Sequence, residues 1–167
     1  MIEVDVPYSV KRKAQLQAKK IRPLRNSILR GKGNVYGMIG EIIVSDYLKA
    51  KKIHSFDFDL VKNDTKLEIK TKSCSSPPKK EYECSVSAAN AKQDCDYYVF
   101  VRVHDEMKKA WILGAISRKL FFQKARFCKE GEVDSKSRLG WRFKADCFNV
   151  EIKDLIPIEK FLKVRKI

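Results

Sequence analysis

A chain of 167 residues suits one domain, large enough to bury a core without disulfides or structural metals as staples. Its 36 lysines and arginines outnumber 21 acids, a formal net charge of +15, so it should attract polyanions, nucleic acid above all, with anionic membrane surfaces as the competitor. No apolar run approaches the roughly 20 residues that cross a bilayer, and "MIEVDVPYSVKRK" lacks the basic-then-apolar order of a signal peptide, so a cytoplasmic protein without a membrane partner is expected.

The five cysteines, Cys74, Cys84, Cys95, Cys128 and Cys147, are odd in number and contain no CxxC pair. That argues against both a zinc site and a disulfide framework, and for reduced thiols. His54 and His104 have neither metal-ligand nor triad spacing.

Residues 1–33 form the most basic block, a helix or arm preceding a compact unit at residues 34–167. Lys11, Arg12, Lys13, Lys19, Lys20, Arg22, Arg25, Arg30 and Lys32 stand against only Glu3 and Asp5. Ser9 is placed to cap a helix running towards Arg22, before Pro23 interrupts it. Its apolar face, Val10, Ala14, Ala18 and Ile21, is thin. A phosphate-tracking surface is the functional reading of such charge density, and a solvated face the bland one. "VYGMIGEIIVSDYLKAKKI", residues 35–53, carries Val35, Met38, Ile39, Ile42 and Ile43 at helical spacing. Gly37 and Gly40 would let a neighbouring element approach closely, and Glu41 falls at the edge of the buried face.

Beyond it, residues 56–61 and 66–72 alternate as strands do, and "SCSSPPKK" is a loop by composition. "EYECSVS" reads as a strand, "AANAKQDC" as a short helical turn, and "DYYVFVRV", residues 96–103, as a strand at the sheet centre. "AWILGAI" is a further strand, and "SRKLFFQKARF" a short helix capped by Ser117. "KEGEVDSKSRLG" is a polar loop, "WRFKADCFNVEI" offers one or two closing strands, and "PIEKFLKV" a short terminal helix. The order argues for one α/β or α+β domain around a mixed sheet.

The hairpin concentrates the chemistry. A two-residue turn at Asn63-Asp64 sets Asp59 opposite Glu68 and Asp57 opposite Lys70. Alternation then gathers Asp57, Asp59, Glu68, Lys70 and Lys72 on one face and leaves Phe56, Phe58, Leu60, Leu67 and Ile69 for the core. A turn at Asp64-Thr65 would instead face Asp59 with Lys70. Two opposed carboxylates repel each other, and a cation relieves that repulsion. Oxygen ligands in compact geometry suit Mg²⁺, with Lys70 beside it to orient a water or stabilise charge on a phosphoryl group. Against this stands a solvated hairpin face with an Asp57–Lys70 ion pair of little worth. Ser85, Ser87, Asn90 and Gln93 could reach a phosphate from the following segment, or serve as ordinary caps and turns. Trp111 and Trp141 read as core or partly buried, and an exposed Trp could stack on a base.

"FDFDLV…KLEIKTK" resembles the D…(D/E)xK core of the PD-(D/E)xK nuclease superfamily, with Asp59 as the acid and Glu68-Ile69-Lys70 as ExK. "GMIGEIIVSDYL" resembles the preceding helix that supplies a further glutamate in many members, here Glu41. The resemblance spans about residues 35–103, and departs from the pattern in having no proline before Asp59. It implies a restriction-endonuclease-like core, a mixed central sheet flanked by helices. It also implies a magnesium-dependent DNA endonuclease, with Mg²⁺ (Mn²⁺ substituting) held by Asp59, Glu68 and the backbone carbonyl of Ile69. Small members include Holliday-junction resolvases, homing endonucleases and restriction enzymes. With one site per chain, symmetric cleavage of two strands would need a homodimer. Lys72 and the basic block would hold the DNA. A non-catalytic nucleic-acid binder on the same scaffold is the rival from another class.

Overall fold

The structure is a computed structural model and describes residues 1–20, 34–53, 55–136 and 140–161. Among these, strand β1 (Ile2–Asp5) is followed by helices α1 (Tyr8–Lys20) and α2 (Asn34–Leu48). Strands β2 (Lys51–Lys52), β3 (Leu60–Lys62), β4 (Thr65–Cys74) and β5 (Glu83–Ser87) come next, then β6 (Tyr97–His104) and β7 (Lys109–Ser117). Helix α3 (Arg118–Lys124), β8 (Arg126–Cys128), β9 (Cys147–Glu151) and α4 (Ile158–Phe161) close the chain. The main sheet has the order β1-β7-β6-β4-β3-β2, and β5-β9-β8 form a second, three-stranded sheet. The main sheet is mixed, since β4 runs parallel to β6 while the other pairings are antiparallel. A single α+β unit with a helix-flanked mixed sheet is therefore what forms.

Alternation along the central strands sorts two cores. Val99, Val101 and Val103 of β6, with Leu67 and Ile69 of β4, join the cluster beneath α1 and α2 that contains Ala14, Ile39, Ile42, Ile43 and Val44. Tyr98 and Phe100 point the other way, into a cluster with Val86, Phe121 and Val150 under the second sheet and α3. By the same alternation Glu68, Lys70 and Lys72 leave β4 on the face of Tyr98 and Phe100.

Several elements differ from the sequence expectation for identifiable reasons. The N-terminus supplies an edge strand that the residue pattern does not announce, its register fixed by Ile2 against Ile112 and Val4 against Ala110. Glu3 anchors it by accepting hydrogen bonds from Lys109 Nζ and from Trp111 Nε1, the latter at 3.0 Å. Helix α1 starts at Tyr8, directly after Pro7, so Ser9 lies inside the helix and is not its cap. Its thin apolar face is enough to bury Ala14 completely. Helix α2 stops at Leu48, short of residue 53, because Lys49 takes the left-handed conformation (φ 52°) that closes a helix. Ser117 does cap α3, accepting from the Leu120 amide at 3.3 Å. Strand β8 and the second sheet are likewise absent from the sequence expectation. Residues 21–33, and with them Arg22, Arg25, Arg30 and Lys32, lie outside the described residues, as does His54.

Candidate active site

The hairpin turn is the expected one. Asn63 and Asp64 both have positive φ, 48° and 61°, as a two-residue turn with the twist of the flanking strands requires. Leu60 pairs with Leu67, Val61 with Lys66 and Lys62 with Thr65, the register deduced from that turn.

The ladder, however, ends at Leu60. Residues 56–59 form no strand, so Asp57 does not face Lys70, and its carboxylate accepts from the Asp94 amide at 3.3 Å. Phe56, expected in the core, is 73% exposed. Asp59 sits where the strand breaks off. Its amide donates to the Leu67 carbonyl at 3.0 Å, and its Oδ2 accepts from the Ile69 amide at 2.8 Å. The carboxylate thus takes the amide that a continued β3 would have satisfied with backbone.

Around Asp59 the structure brings together the other expected acids and the lysine. Glu68 is 6% exposed and Glu41 9%. Burial, then the negative charges of Glu68 and Glu41, push the Asp59 carboxyl from its ordinary 3.8 up to about 8, while the Ile69 amide and Lys70 pull the other way. Glu41 is ion-paired with Lys52 at 2.8 Å. Gly40 permits α2 to lie this close to β4: a Cβ there would stand 2.0 Å from Thr71 Oγ1. Gly37 meets no such neighbour.

Lys70 Nζ donates to Glu68 Oε1 at 2.7 Å and to Gln93 Oε1 at 2.8 Å. Gln93, itself buried, donates from Nε2 to the Phe56 carbonyl at 2.8 Å and to Glu68 Oε1 at 3.0 Å. Gln93 thereby ties the broken strand, the acid and the lysine together. An ammonium has three N–H donors, so one direction on Lys70 remains for a ligand. In the sequence Gln93 is one of four polar candidates without a defined role, and Lys52 does not stand out at all. Neither has a local signal: Lys52 follows a helix end, and Gln93 precedes a strand by several residues. Ser85 faces away from this cluster, donating to Asn149 Oδ1 at 2.6 Å.

Each of the three carboxylates uses only one oxygen in the ion pairs and hydrogen bonds of the described residues. No group of three or more His, Cys, Asp and Glu side chains among those residues forms a ready metal cage. The donor set is instead sparse and all oxygen. Mg²⁺ accepts such a set, since it keeps several waters and binds through one or two carboxylates together with substrate phosphate.

The basic residues of α1 lie to one side. Arg12, Lys13, Lys19 and Lys20 are exposed and Lys11 is half-buried. None of the five is in a salt bridge among the described residues. The helix is joined to the acidic cluster through Gln17, whose Oε1 accepts from Lys52 Nζ at 3.5 Å. Among the described residues no helix is long and apolar enough to cross a membrane. No protein family and no curated protein matches this chain.

Proposed function

We propose that this protein is a metal-dependent DNA endonuclease with Asp59, Glu68 and Lys70 at its centre and a restriction-endonuclease-like core. The observation that carries the proposal is the convergence of Asp59, Glu68 and Glu41, from three separate elements, on a site where Asp59 is destabilised as an anion. A structural ion-pair cluster would balance its charges, whereas this one leaves a carboxylate in need of a cation.

Asp59, Glu68 and the Ile69 carbonyl would hold Mg²⁺ or Mn²⁺, which would supply Lewis-acid activation and neutralise phosphoryl charge. The protein's own part is positional. Gln93 and Glu68 fix the Lys70 ammonium so that its remaining N–H can orient the attacking water or donate to a non-bridging phosphate oxygen. Glu41, held by Lys52, keeps a second negative group at the edge of the site. The cations of α1, which form no salt bridge among the described residues, would supply long-range attraction for the phosphate backbone. One site per chain calls for a two-fold dimer if both strands are cut symmetrically.

The test is a panel of plasmid, four-way-junction, linear duplex and single-stranded DNA incubated with Mg²⁺ or Mn²⁺. Asp59→Asn, Glu68→Gln and Lys70→Met should each keep DNA binding and lose roughly a hundredfold or more in cleavage rate. Preference for four-way junctions would select a resolvase, and cutting of one duplex sequence a homing or restriction enzyme. Unchanged cleavage by all three variants would remove the site assignment. DNA binding with no cleavage under any condition would leave a non-catalytic nucleic-acid binder.

A further inference from the structure

Two residues along β4 from Lys70 stands Lys72, and its direct neighbour across the parallel pairing is Arg102 of β6. Arg102 is only 7% exposed. Its guanidinium donates to the Glu83 carbonyl at 2.6 Å, and no carboxylate pairs with it among the described residues. A buried cation is ordinarily paired, because burying it alone costs several kcal/mol. The acids nearby are engaged elsewhere: Glu83 holds Arg126 and Lys136, and Asp134 lies 3.8 Å from Arg126. The thiols of Cys74, Cys84 and Cys147, which face the pair together with the Tyr82 phenol, stay neutral because burial raises their pKa values.

Lys72 adds to the imbalance. It has no salt bridge among the described residues, and desolvation of its ammonium and the charge of Arg102 hold its pKa below the ordinary lysine value. Its ammonium lies 5.8 Å from the centre of the Trp141 ring, and Trp141 is 41% exposed. Two adjacent cations that no carboxylate pairs with among the described residues, one of them beside a partly exposed indole that also meets Phe143 edge-on, match the chemistry of one nucleotide: a phosphate for the cations and a base beside the ring. The offset from Lys70 is about 7 Å along the strand, comparable with the step between neighbouring phosphates of one nucleic-acid strand.

We infer that Lys72 and Arg102 form a subsite for the phosphodiester next to the one being cut, with Trp141 as the platform for its base. This rests on the nuclease reading for the word "cut", but not for the binding itself. The probe is a set of oligonucleotides, each with one phosphate replaced by an uncharged methylphosphonate, bound in EDTA and followed by fluorescence anisotropy. The cut position comes from the same oligonucleotides with Mg²⁺. For the wild type, neutralising the phosphate adjacent to the cut should weaken binding roughly tenfold. Lys72→Met should bind unmodified DNA worse and lose part of its sensitivity to the charge at that position, Arg102 holding the remainder. Arg102→Lys, which keeps the charge should Arg102→Gln fail to fold, should retain the positional sensitivity in weakened form. Cleavage by the wild type with no such position, or a Lys72→Met variant as sensitive as the wild type, would overturn the subsite and leave the hydrolysis proposal standing. Interference at one phosphate that shrinks in Lys72→Met, in a protein that cuts nothing, would uphold the phosphate site and remove the hydrolysis.

Discussion

Asp59→Asn should make the protein more stable, by an amount that depends on pH. The folded carboxyl is held at about 8 against an ordinary 3.8, so between these values the folded state binds a proton that the unfolded chain does not. Stability therefore falls as pH rises through that window and levels off above about 8. Asparagine can still accept the Ile69 amide through its side-chain oxygen, and it carries no charge to bury against Glu68 and Glu41. The gain of the variant over wild type should be roughly 3 kcal/mol at pH 6 and approach 6 kcal/mol above pH 8. Urea unfolding in EDTA at pH 6, 7 and 8.5 reads it directly, as a midpoint difference that widens with pH. A variant less stable than wild type, or a difference constant over that range, would falsify the claim that Asp59 is an anion buried against two others. Adding Mg²⁺ at pH 8 should then stabilise wild type well beyond Asp59→Asn, since an ion that binds only the folded state stabilises it by mass action.

Glu41→Gln should lower the Asp59 titration towards the ordinary aspartate range in ¹³C carboxyl NMR, because it removes one of the charges that raise it; an unmoved titration would separate α2 from the site. Gly40→Ala should cost about 1–3 kcal/mol by overpacking in urea denaturation, given the 2.0 Å approach to Thr71 Oγ1. Combined with Thr71→Ala, which also deletes a buried hydroxyl lacking a partner, most of that loss should be recovered. Replacing Lys11, Arg12, Lys13, Lys19 and Lys20 with alanine should weaken binding to all DNA sequences alike. It should also flatten the plot of log affinity against log salt by about 0.9 for each duplex phosphate that is no longer neutralised. Equal slopes would make α1 a bystander.

What was legible in the sequence was whatever depended on short-range pattern. The Asn63-Asp64 turn, the β4 alternation, the apolar run of β6 and the Ser117 cap each rest on a few adjacent residues. The turn and the alternation place Glu68 and Lys70 on one face of β4, whereas Asp59, expected opposite Glu68 in a continued ladder, reaches them from beyond the end of β3 through the Ile69 amide. Tertiary decisions were not legible. Ile2–Asp5 is too short and too charged to announce itself as a strand, and it becomes one because β7 offers an open edge with Ile112 and Trp111 as partners. Gln93 joins the site only because Ala88–Asn90 turns the chain back beneath Phe56. The burial of Arg102 with no carboxylate partner among the described residues is equally invisible to composition, since its guanidinium is held by the Glu83 carbonyl of β5.

The end of β3 at Leu60 shapes the polar face of this hairpin. Had β3 continued through Phe58 and Phe56, the Ile69 amide would have met backbone, and Phe56 would have been available to the core, as Phe58, packed against the second cluster, already is. Phe56 instead stands 73% exposed, an apolar surface left in water at a cost that hydrophobic transfer sets at roughly 25 cal/mol per Å². Against that cost the chain gains three things at one point. The Asp59 carboxylate is pinned by Ile69, the Phe56 carbonyl becomes an acceptor for Gln93, and Gln93 is thereby fixed to hold Lys70 against Glu68. A fold optimised for stability alone would extend the strand and leave no carboxyl buried beside two others. Breaking the strand and burying Asp59 beside Glu68 and Glu41 both act against stability, and they converge on the point where Lys70 is clamped, as local departures from folding rules do at functional sites.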